Sequence, residues 1–554
     1  MNKENKVVII GLDGATWDIV LPMISKRKLP TFKYLIEHGS HGNLNSTIPP
    51  LSAPAWTSAF TGVNPGKHNI FDFFTIRHDN YELKNVTSAD RKTPAIWNIL
   101  DTYGMTSGIF NIPMTYPPEA VNGFMVAGLG TPDTSSNFIY PAPLKEELKK
   151  CLHTLQFSID VGTIMSGKED AFIDELYKVT DIQEKAVHYL YSKYQPRFFM
   201  AVFDELDRLQ HFFWRYMRNN HVSQDPKKSR KYNDTIENYY QYLDVVINRF
   251  LNIISEDTTV MIVSDHGFGG LYKDFYINKY FHDAGILRLK PKPPISINTE
   301  LLRAIKTAIK KATYSVGIGP WVDHIVPDWL RLKALTPTVD TGLGRVDWQQ
   351  TMSYFCSLSG QNIWINLKDR QPEGIIEQGK TYESLRDQLI EKLYALKDPE
   401  TSQNIIRKAY KREEIYTGDC VLNAPDLIID MAEGYVMQIG LAQNMLMPAT
   451  QYKLCRSGCH RQHGIFIAMG KDIKKNHQVP NAEIIDIVPT VLYLFDKRIP
   501  SYVDGKVLAD ILNKGIKEVE YQTSQIYKTD VPHDISAEDE AKIMERLKGL
   551  GYMG

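Results

Sequence analysis

The chain has 554 residues, 43% of them hydrophobic and 23% charged, a composition typical of globular proteins and not of disordered or fibrous ones. Its 64 Lys and Arg against 65 Asp and Glu leave a formal net charge of -1. Such a chain has no global field that attracts nucleic acid, so we expect no nucleic-acid polymer as a partner.

The cysteines and the N-terminus argue against two further classes of protein. Five cysteines without C-x-x-C spacing do not indicate a disulfide framework or a zinc ribbon. A Cys/His metal cluster is one interpretation of Cys455 and Cys459, which lie beside His460. Two reduced thiols near a loop are the simpler interpretation. The apolar run at residues 7–10 is shorter than a signal peptide requires, and no stretch reaches the roughly 18 apolar residues of a membrane span. We therefore expect a cytoplasmic protein without a transmembrane segment.

Short apolar runs that end near Gly or Asp recur along the chain. Such runs are typical of parallel-sheet strands that are covered on both faces. In chain order they are residues 6–14, 105–110, 198–203, 259–264 and 464–469. Helices are predicted between them, at residues 170–194 and 232–254. The alternation predicts an α/β sandwich.

Acidic residues follow three of these predicted strands, at Asp13, Asp207 and Asp265. Open α/β sheets bind ligands beyond the carboxyl ends of their strands, so one shared site is expected. Asp207 and His211 are four residues apart, share one face of a helical turn and can reach the same ion. Asp265 and His266 can both be ligands where a glycine-rich loop ends the strand.

His460 adds a sixth candidate ligand. Each piece alone has a plainer interpretation, such as a loop cap for an Asp–His pair or a helix N-cap for Asp13. Three Asp and three His together exceed what one tetrahedral ion needs, so we predict two divalent ions, Zn²⁺ or alternatively Mn²⁺. Two ions about 4 Å apart can stabilise the attacking and leaving oxygens of a phosphoryl transfer.

The segment at residues 49–74 supplies a nucleophile. Ser52 precedes Ala53 and Pro54, and proline is favoured in the first turn of a helix. A hydroxyl at a helix N-terminus faces free backbone N–H groups and a dipole that favours phosphate. A bound metal would lower its pKa. Without the candidate ligands Ser52 would be a plain N-cap, and with them we predict a nucleophile that also binds metal.

Residues 271–345 differ from the rest of the chain. A basic run that contains proline at residues 288–294 precedes an amphipathic stretch at residues 301–311. We interpret this region as an inserted cap with a solvated basic face, and peripheral contact with an anionic membrane surface is the alternative. Residues 536–554 are predicted to form a C-terminal helix.

Five motifs stand in order along the chain. They are GLDGA around Asp13, S-x-P-x-x-T-x-x-x-T-G-x-x-P-G-x-H from Ser52 to His68, D-x-x-x-H at Asp207, SDHG at Asp265 and G-x-H-R-x-x-G at His460. In this order the sequence resembles the type I phosphodiesterase/nucleotide pyrophosphatase family of the alkaline phosphatase superfamily, over residues 7–511 with the insertion matching least. The resemblance implies an alkaline phosphatase-like sandwich, with a central, mostly parallel sheet flanked by helices and an inserted cap.

The resemblance also implies roles for the candidate residues. Ser52 stands at the position of the family's nucleophile, which forms a phospho-enzyme intermediate. One ion would be held by Asp13, Asp265 and His266 and the other by Asp207, His211 and His460. His463 is a rival for the last position, because His463 and Gly464 also resemble the family's His-Gly pair.

From these features we divide the chain into four parts. Residues 1–270 form the first part of the core, with the nucleophile and most ligands, and residues 271–345 form the cap. Residues 346–520 form the second part of the core, with the last ligand, and residues 521–554 form a helical tail.

The sequence departs from the family in one place that concerns the substrate. Many diesterases have an Asn soon after the H-x-I segment, where this chain has Phe73, and Asn69 or Asn111 could replace it. The insertion and aromatic residues such as Phe73 and Trp214 would line the pocket and contact the substrate. Nucleotides, nucleotide-sugars, phospholipid head groups and phosphonates are the candidate substrates. A sulfatase is not indicated, because Trp56 stands where the C/S-x-P-x-R motif requires Arg.

Hydrolysis of a phosphate ester has two alternatives. The same site could pass the phospho group to an alcohol, as a transferase or mutase does. A binding protein that has lost the chemistry would show a missing ligand or nucleophile, and the sequence retains them all. The sequence carries no signal for an oligomeric state.

Overall fold

The computed structural model describes residues 5–159, 168–217, 226–291, 343–357, 359–449, 456–513, 518–523 and 535–547. Its strands are β1 (Lys6–Leu12), β2 (Ser40–Asn45), β3 (Phe74–Ile76), β4 (Leu83–Asn85), β5 (Ser107–Ile112), β6 (Gly123–Ala127), β7 (Ile139–Tyr140), β8 (Phe198–Phe203), β9 (Thr258–Val263), β10 (Gly267–Gly270), β11 (Lys273–Phe275), β12 (Ser353–Tyr354), β13 (Asn362–Ile365), β14 (Ile406–Lys411), β15 (Leu427–Met431), β16 (Tyr435–Met437), β17 (Leu446–Pro448), β18 (Gly458–Arg461), β19 (His463–Met469), β20 (His477–Glu483), β21 (Ile499–Pro500) and β22 (Tyr521–Gln522).

Its α-helices are α1 (Trp17–Ser25), α2 (Pro30–Glu37), α3 (Ser52–Thr61), α4 (Pro65–His68), α5 (Ile96–Asp101), α6 (Pro143–Leu152), α7 (Glu169–Tyr194), α8 (Glu205–Met217), α9 (Pro226–Tyr232), α10 (Thr235–Leu251), α11 (Ile277–Asp283), α12 (Lys380–Tyr394), α13 (Arg412–Ile415), α14 (Ile487–Leu494) and α15 (Ala537–Leu547). The helix predicted at residues 232–254 corresponds to α10, which begins at Thr235 because Tyr232 ends α9 and the chain turns between them.

A mostly parallel sheet forms the centre of the fold. Within the described ranges it has nine strands in the order β20-β2-β19-β9-β1-β8-β5-β6-β7. Strand β1 pairs in parallel with both β8 and β9, and β8 pairs in parallel with β5. Strand β19 is antiparallel to both of its neighbours. The prediction of a central, mostly parallel sheet is confirmed.

Helices cover both faces of this sheet. Val8 and Ile10 of β1 lie in one hydrophobic cluster together with apolar residues of α7, α8 and α10. Val7 and Ile9 lie in a second cluster, together with residues of α3, α5 and α14. Because successive side chains of a strand point to opposite faces, a strand that is covered on both faces reads as a continuous apolar run. The predicted α/β sandwich is confirmed.

A second lobe is formed by strands β11–β17 and helices α11 and α12. Its described strands form one sheet in the order β12-β13-β15-β14 and another in the order β16-β11-β17. They enclose a hydrophobic cluster of their own, which extends from Ile76 to Ile439 and includes residues on both sides of residue 345. The amphipathic stretch at residues 301–311 lies outside the described residues, and the division of the chain into four parts stays a prediction.

The C-terminal helix α15 packs Ile543 and Leu547 into the same hydrophobic cluster as Val8. None of the helices in the described ranges is long and apolar enough to cross a membrane. The cytoplasmic location stays a prediction.

Candidate active site

The ends of three adjacent strands bring the predicted acidic residues together. Asp13 follows β1, Asp265 follows β9, and α8, which carries Asp207, begins directly after β8 and Asp204. The three strands are parallel, so their carboxyl ends meet at one edge of the sheet. The Asp13 backbone N–H donates to the Phe203 carbonyl at 3.1 Å and joins two of these ends. Asp13, Asp207 and Asp265 are all buried.

Asp13, Asp265 and His266 form the first group of candidate ligands. His266 Nε2 lies 3.5 Å from Asp13 Oδ1 and 3.2 Å from Asp265 Oδ2. One ligand atom from each of the three residues lies within 4.8 Å of the others. The Gly14 backbone N–H donates to Asp265 Oδ1 at 3.3 Å and orients that carboxylate.

Ser52 faces this first group from the N-terminus of α3. Leu51 is extended and Ser52 is the first residue of the helix, whose first turn closes with a hydrogen bond from the Ala55 N–H to the Leu51 carbonyl. The Ser52 Oγ atom lies 3.2 Å from His266 Nε2 and 3.5 Å from Asp13 Oδ1. A fully buried hydroxyl at this position has the positive end of the helix dipole behind it.

Asp207, His211 and His460 form the second group. Asp207 Oδ2 lies 3.4 Å from His211 Nε2, and Asp207 Oδ1 lies 3.2 Å from His460 Nε2. The Nε2 atoms of His211 and His460 are 3.1 Å apart. The rings of His460 and His266 stack with centroids 3.6 Å apart, and His266 also lies within 4.8 Å of Asp207 and His460. The two groups therefore share a border at His266.

The three histidines turn the same ring nitrogen toward the site. Their Nδ1 atoms meet backbone carbonyls, at 2.9 Å from Gly458 for His211, 2.9 Å from Pro50 for His460 and 3.1 Å from Gly267 for His266. A carbonyl only accepts, so each Nδ1 carries the hydrogen and, in a neutral ring, Nε2 keeps its lone pair. Burial lowers the pKa of His266 to about 4 and also lowers that of His460. This is the tautomer and orientation of metal-binding histidines.

Burial acts on the ionisation of all three carboxylates. Burial, followed by the charges of neighbouring carboxylates, raises the pKa of Asp13 well above its usual range and the pKa of Asp265 to about 8. Burial opposes ionisation of Asp207 too, but its contacts with His211 and His460 outweigh burial and lower its pKa.

A divalent cation fits this set of donors. In the part of the chain that the structure describes, no lysine or arginine forms an ion pair with Asp13 or Asp265. The buried Asp265 Oδ2 accepts no hydrogen bond there either. Buried carboxylates and imidazole lone pairs that converge without a counter-charge are the donors that Zn²⁺ and Mn²⁺ bind.

The two rivals for the last ligand lie in different surroundings. His460 faces Asp207 from β18, whereas His463 begins β19, is exposed, and its Nδ1 lies 2.8 Å from Asn45 Oδ1. The structure therefore brings His460 and not His463 to the site. Cys459 is buried beside Gly270, with the Arg461 Nη1 atom 2.9 Å from its sulfur, and Cys455 lies outside the described residues.

The four residues predicted to bind substrate make other contacts. Asn69 donates to the Asp90 carbonyl at 3.0 Å, and Asn111 donates to the Val202 carbonyl and to Asp204 Oδ1, each at 3.0 Å. Phe73 and Trp214 are buried in the same hydrophobic cluster as Val8. The structure does not bring these four side chains to the candidate ligands in any contact that it describes.

A cavity of about 330 Å³ opens beside the second group of ligands. His211 and His460 line this cavity, together with residues of the first part of the chain such as Asn43 and Pro50. Another part of the lining belongs to the second lobe and includes Ser359, Gln361, Arg407, Asp430 and Tyr435.

Sequence reasoning missed the contacts that hold the ligands in place. The carbonyls of Pro50, Gly267 and Gly458 are backbone atoms and leave no signal in residue type. Trp56 also donates to Asp13, and the one signal that could have revealed it is its position, one helical turn after Ser52. A buried indole N–H needs a hydrogen-bond acceptor, so a tryptophan at this position is expected to donate to a nearby carboxylate.

Comparison with known proteins adds to this geometry. A family model described as type I phosphodiesterase / nucleotide pyrophosphatase matches residues 7–442, a range that ends before His460. Phosphonoacetate hydrolase from Sinorhizobium meliloti 1021, in complex with phosphonoformate, has a TM-score of 0.52 at 13% identity, over 89% of this chain and 95% of that one. Human ectonucleotide pyrophosphatase / phosphodiesterase 5 has a TM-score of 0.48 at 12% identity, over 92% and 100%. No curated protein matches the sequence.

Proposed function

Because the chain belongs to the type I phosphodiesterase / nucleotide pyrophosphatase family, whose members are metal-dependent phosphoester hydrolases of the alkaline phosphatase superfamily, we propose that it cleaves a phosphate diester with Ser52 as the nucleophile and two bound metal ions. The observation that carries this proposal is the position of the Ser52 hydroxyl. It lies at the N-terminus of α3, 3.2 Å from His266 Nε2 and 3.5 Å from Asp13 Oδ1.

The candidate ligands fit two divalent ions, Zn²⁺ or Mn²⁺. Ser52 and the group of Asp13, Asp265 and His266 would hold one ion, and the group of Asp207, His211 and His460 would hold the other. When bound, the ions would lower the pKa of the serine hydroxyl and neutralise charge on the oxygens of the phosphoryl group.

The reaction proceeds in two displacements at phosphorus. Ser52 Oγ loses its proton and forms a bond to phosphorus while the bond to the leaving oxygen breaks, and the leaving group departs with that electron pair and takes up a proton. Water then attacks phosphorus of the resulting serine ester, its oxygen stays on the product phosphate monoester, and the Ser52 oxygen leaves with the bonding electrons and regains a proton. The N-terminus of α3 favours negative charge on the attacking oxygen throughout. Positioning and electrostatics supply most of the catalysis in such transfers.

The substrate is proposed to be a small phosphate ester, such as a nucleotide, a nucleotide-sugar or a lipid head group. A cavity of about 330 Å³ beside His211 and His460 gives room for a molecule of modest size. Its second-lobe side carries the Arg407–Asp430 pair, whose closest atoms are 2.7 Å apart. A polar substrate suits such a rim better than a purely apolar one.

Replacement of the nucleophile tests the chemical step. We expect Ser52→Ala to lower the hydrolysis of bis(nitrophenyl) phosphate by about 10³-fold or more, because no other group replaces the attacking oxygen. Ser58→Ala is the matched control. Ser58 lies on the same helix and is equally buried, but it contacts His68 Nε2 at 3.0 Å instead of the candidate ligands. Normal turnover by Ser52→Ala would remove the serine from the mechanism.

Metal content tests the other half of the proposal. The purified protein should hold about two Zn²⁺ or Mn²⁺ ions per chain, and chelation should abolish cleavage of the diester until metal is returned. Preference for a nitrophenyl monoester would point to a phosphatase instead. A protein that takes up neither Zn²⁺ nor Mn²⁺ would contradict the proposal as a whole.

A further inference from the structure

Trp56 makes the closest described side-chain contact with Asp13. Its indole Nε1 donates to Asp13 Oδ2 at 2.9 Å, and the residue is fully buried. Trp56 lies four residues after Ser52 on α3, so the two side chains share one face of the helix. The helix therefore contacts both carboxylate oxygens of Asp13, with Ser52 Oγ 3.5 Å from Oδ1 and Trp56 at Oδ2.

The indole engages one of the two Asp13 oxygens and leaves the other directed at the candidate ligands. Indole N–H is a donor that neither accepts a hydrogen bond nor loses its proton at ordinary pH. Asp13 Oδ2 is occupied by this contact, whereas Oδ1 faces His266 Nε2 at 3.5 Å in the first group of ligands. The rotation of the carboxylate about its last bond is fixed as a result.

Strand β1, which directly precedes Asp13, makes room for the indole ring. A Cβ atom at Gly11 would overlap Trp56 Cη2 and would lie 2.8 Å from Val202 Cγ2. Gly11 of β1 thus lets the ring lie directly against the strand, between β1 and α3. The ring cannot move without displacing the strand or the helix, so the hydrogen bond is held by packing as well.

We propose that Trp56 is a positioning residue that fixes Asp13 for metal binding through Oδ1 and ties the nucleophile helix to that ligand. The inference rests on the proposed function, because it requires that Asp13 binds metal. A hydrogen bond to the distal oxygen of a ligating carboxylate sets the orientation of the ligand, and loss of such a partner weakens metal affinity about 10- to 100-fold.

A purely structural role would look different, and Trp97 provides the comparison. Trp97 is also buried, and its Nε1 donates to Glu119 Oε1 at 2.7 Å. Glu119 keeps Arg91 as a partner at 2.8 Å. The two tryptophans therefore share burial and hydrogen-bond type, and differ in whether the acceptor belongs to the candidate metal site.

The experiment compares Trp56→Phe with Trp97→Phe. Each metal-free protein is titrated with Zn²⁺ alone against a chromogenic chelator, and thermal unfolding is recorded alongside. We expect the weaker Zn²⁺ affinity of Trp56→Phe to show as a rise in Kd of about 10- to 100-fold, with Trp97→Phe within about twofold of the wild type. Equal Zn²⁺ affinity in the two variants would overturn the inference, whatever their thermal stabilities.

A subtler replacement removes only the N–H donor of the indole ring. Benzothienylalanine at position 56 replaces the indole N–H by sulfur and keeps the ring size, so it serves if Trp56→Phe does not fold. It should raise the Kd for Zn²⁺ by a factor in the same range, and an unchanged Kd would contradict the positioning role. If the wild-type protein itself binds no Zn²⁺ or Mn²⁺, the proposed function fails first, and the inference fails with it.

Discussion

In the metal-free protein, Asp265 should make the folded state less stable as the pH rises. Burial, followed by the charge of Asp207, raises the pKa of Asp265 in the folded chain from 3.8 to about 8, whereas the unfolded chain keeps an ordinary value. Between these values the folded protein holds a proton that the unfolded chain has released. The contribution to stability is therefore complete below the unfolded pKa and is lost as the pH rises toward the folded pKa.

The size of the effect follows from the proton linkage. One proton contributes about 1.4 kcal/mol for each pH unit inside this window. Between about pH 5 and pH 7 the free energy of unfolding should therefore fall by roughly 2 to 3 kcal/mol on account of Asp265 alone. A bound cation favours the charged carboxylate, so protein saturated with Zn²⁺ or Mn²⁺ should lose this dependence.

Thermal unfolding with excess chelator measures the effect at the two pH values. The variant Asp265→Asn is the reference, because its amide does not titrate. The melting temperature of the wild type should fall by more than that of the variant between pH 5 and pH 7, and the difference should vanish when metal is added. Equal pH dependence of the two metal-free proteins would refute the reasoning.

Two further predictions concern the last ligand and the packing of Trp56. We expect His460→Ala to lose bound metal and to lower turnover at least 100-fold, whereas His463→Ala should stay close to the wild type. Metal content and diester cleavage are the measurements. Equal losses in the two variants would contradict the choice of His460 as the ligand. Gly11→Ala should lower the free energy of unfolding by about 1 to 3 kcal/mol, since the added methyl group overlaps the indole. The same substitution should be less destabilising in a Trp56→Phe background, and strict additivity in this double-mutant cycle would show that the two positions do not interact.

Five of the nine described strands of the main sheet could be read from the sequence, because they carry a simple signal; they are β1, β5, β8, β9 and β19. The run predicted at residues 198–203 is strand β8 in full, and the run at residues 259–264 differs from β9 by one residue at each end. A strand that is buried on both faces has no polar residue to interrupt the run. The second lobe gave no such signal, because its strands are short, such as the two residues of β12.

The candidate site could be predicted in its residues but not in its arrangement. Asp13 and Asp265 follow apolar runs, and the spacing of Asp207 and His211 is that of one helical turn. No spacing indicates that the ring of His266 stacks on His460 and lies at the border of both groups, because the two residues are almost 200 positions apart and meet only through β10 and β18. The pairing of those two strands places Phe268 opposite His460.

The sequence offers Asn69 and Asn111 as substitutes for the family's Asn, and Phe73 and Trp214 as aromatic residues of the pocket. In the structure the two Asn side chains donate to backbone carbonyls, and the two aromatic side chains lie in a hydrophobic cluster. Part of the polar lining of the cavity comes instead from residues 359–435, which contain none of the five motifs. Sequence position relative to a motif does not identify the residues that line a pocket, because loops from any part of the chain can form its wall.

This arrangement separates the chemistry of the protein from its selectivity. Ser52 and the six candidate ligands lie on or beside elements that pack around the ends of the main sheet, and none belongs to the second lobe, whereas Ser359, Gln361 and the Arg407–Asp430 pair reach the cavity from the second lobe. Arg407 and Asp430 satisfy each other across a bidentate contact, so either one alone would present an unpaired charge to the substrate. Substitution of one partner should change which leaving groups are accepted, through KM, while metal content stays the same. Under the proposed function, the second-lobe wall of the cavity can therefore vary without disturbing Ser52 and the candidate ligands.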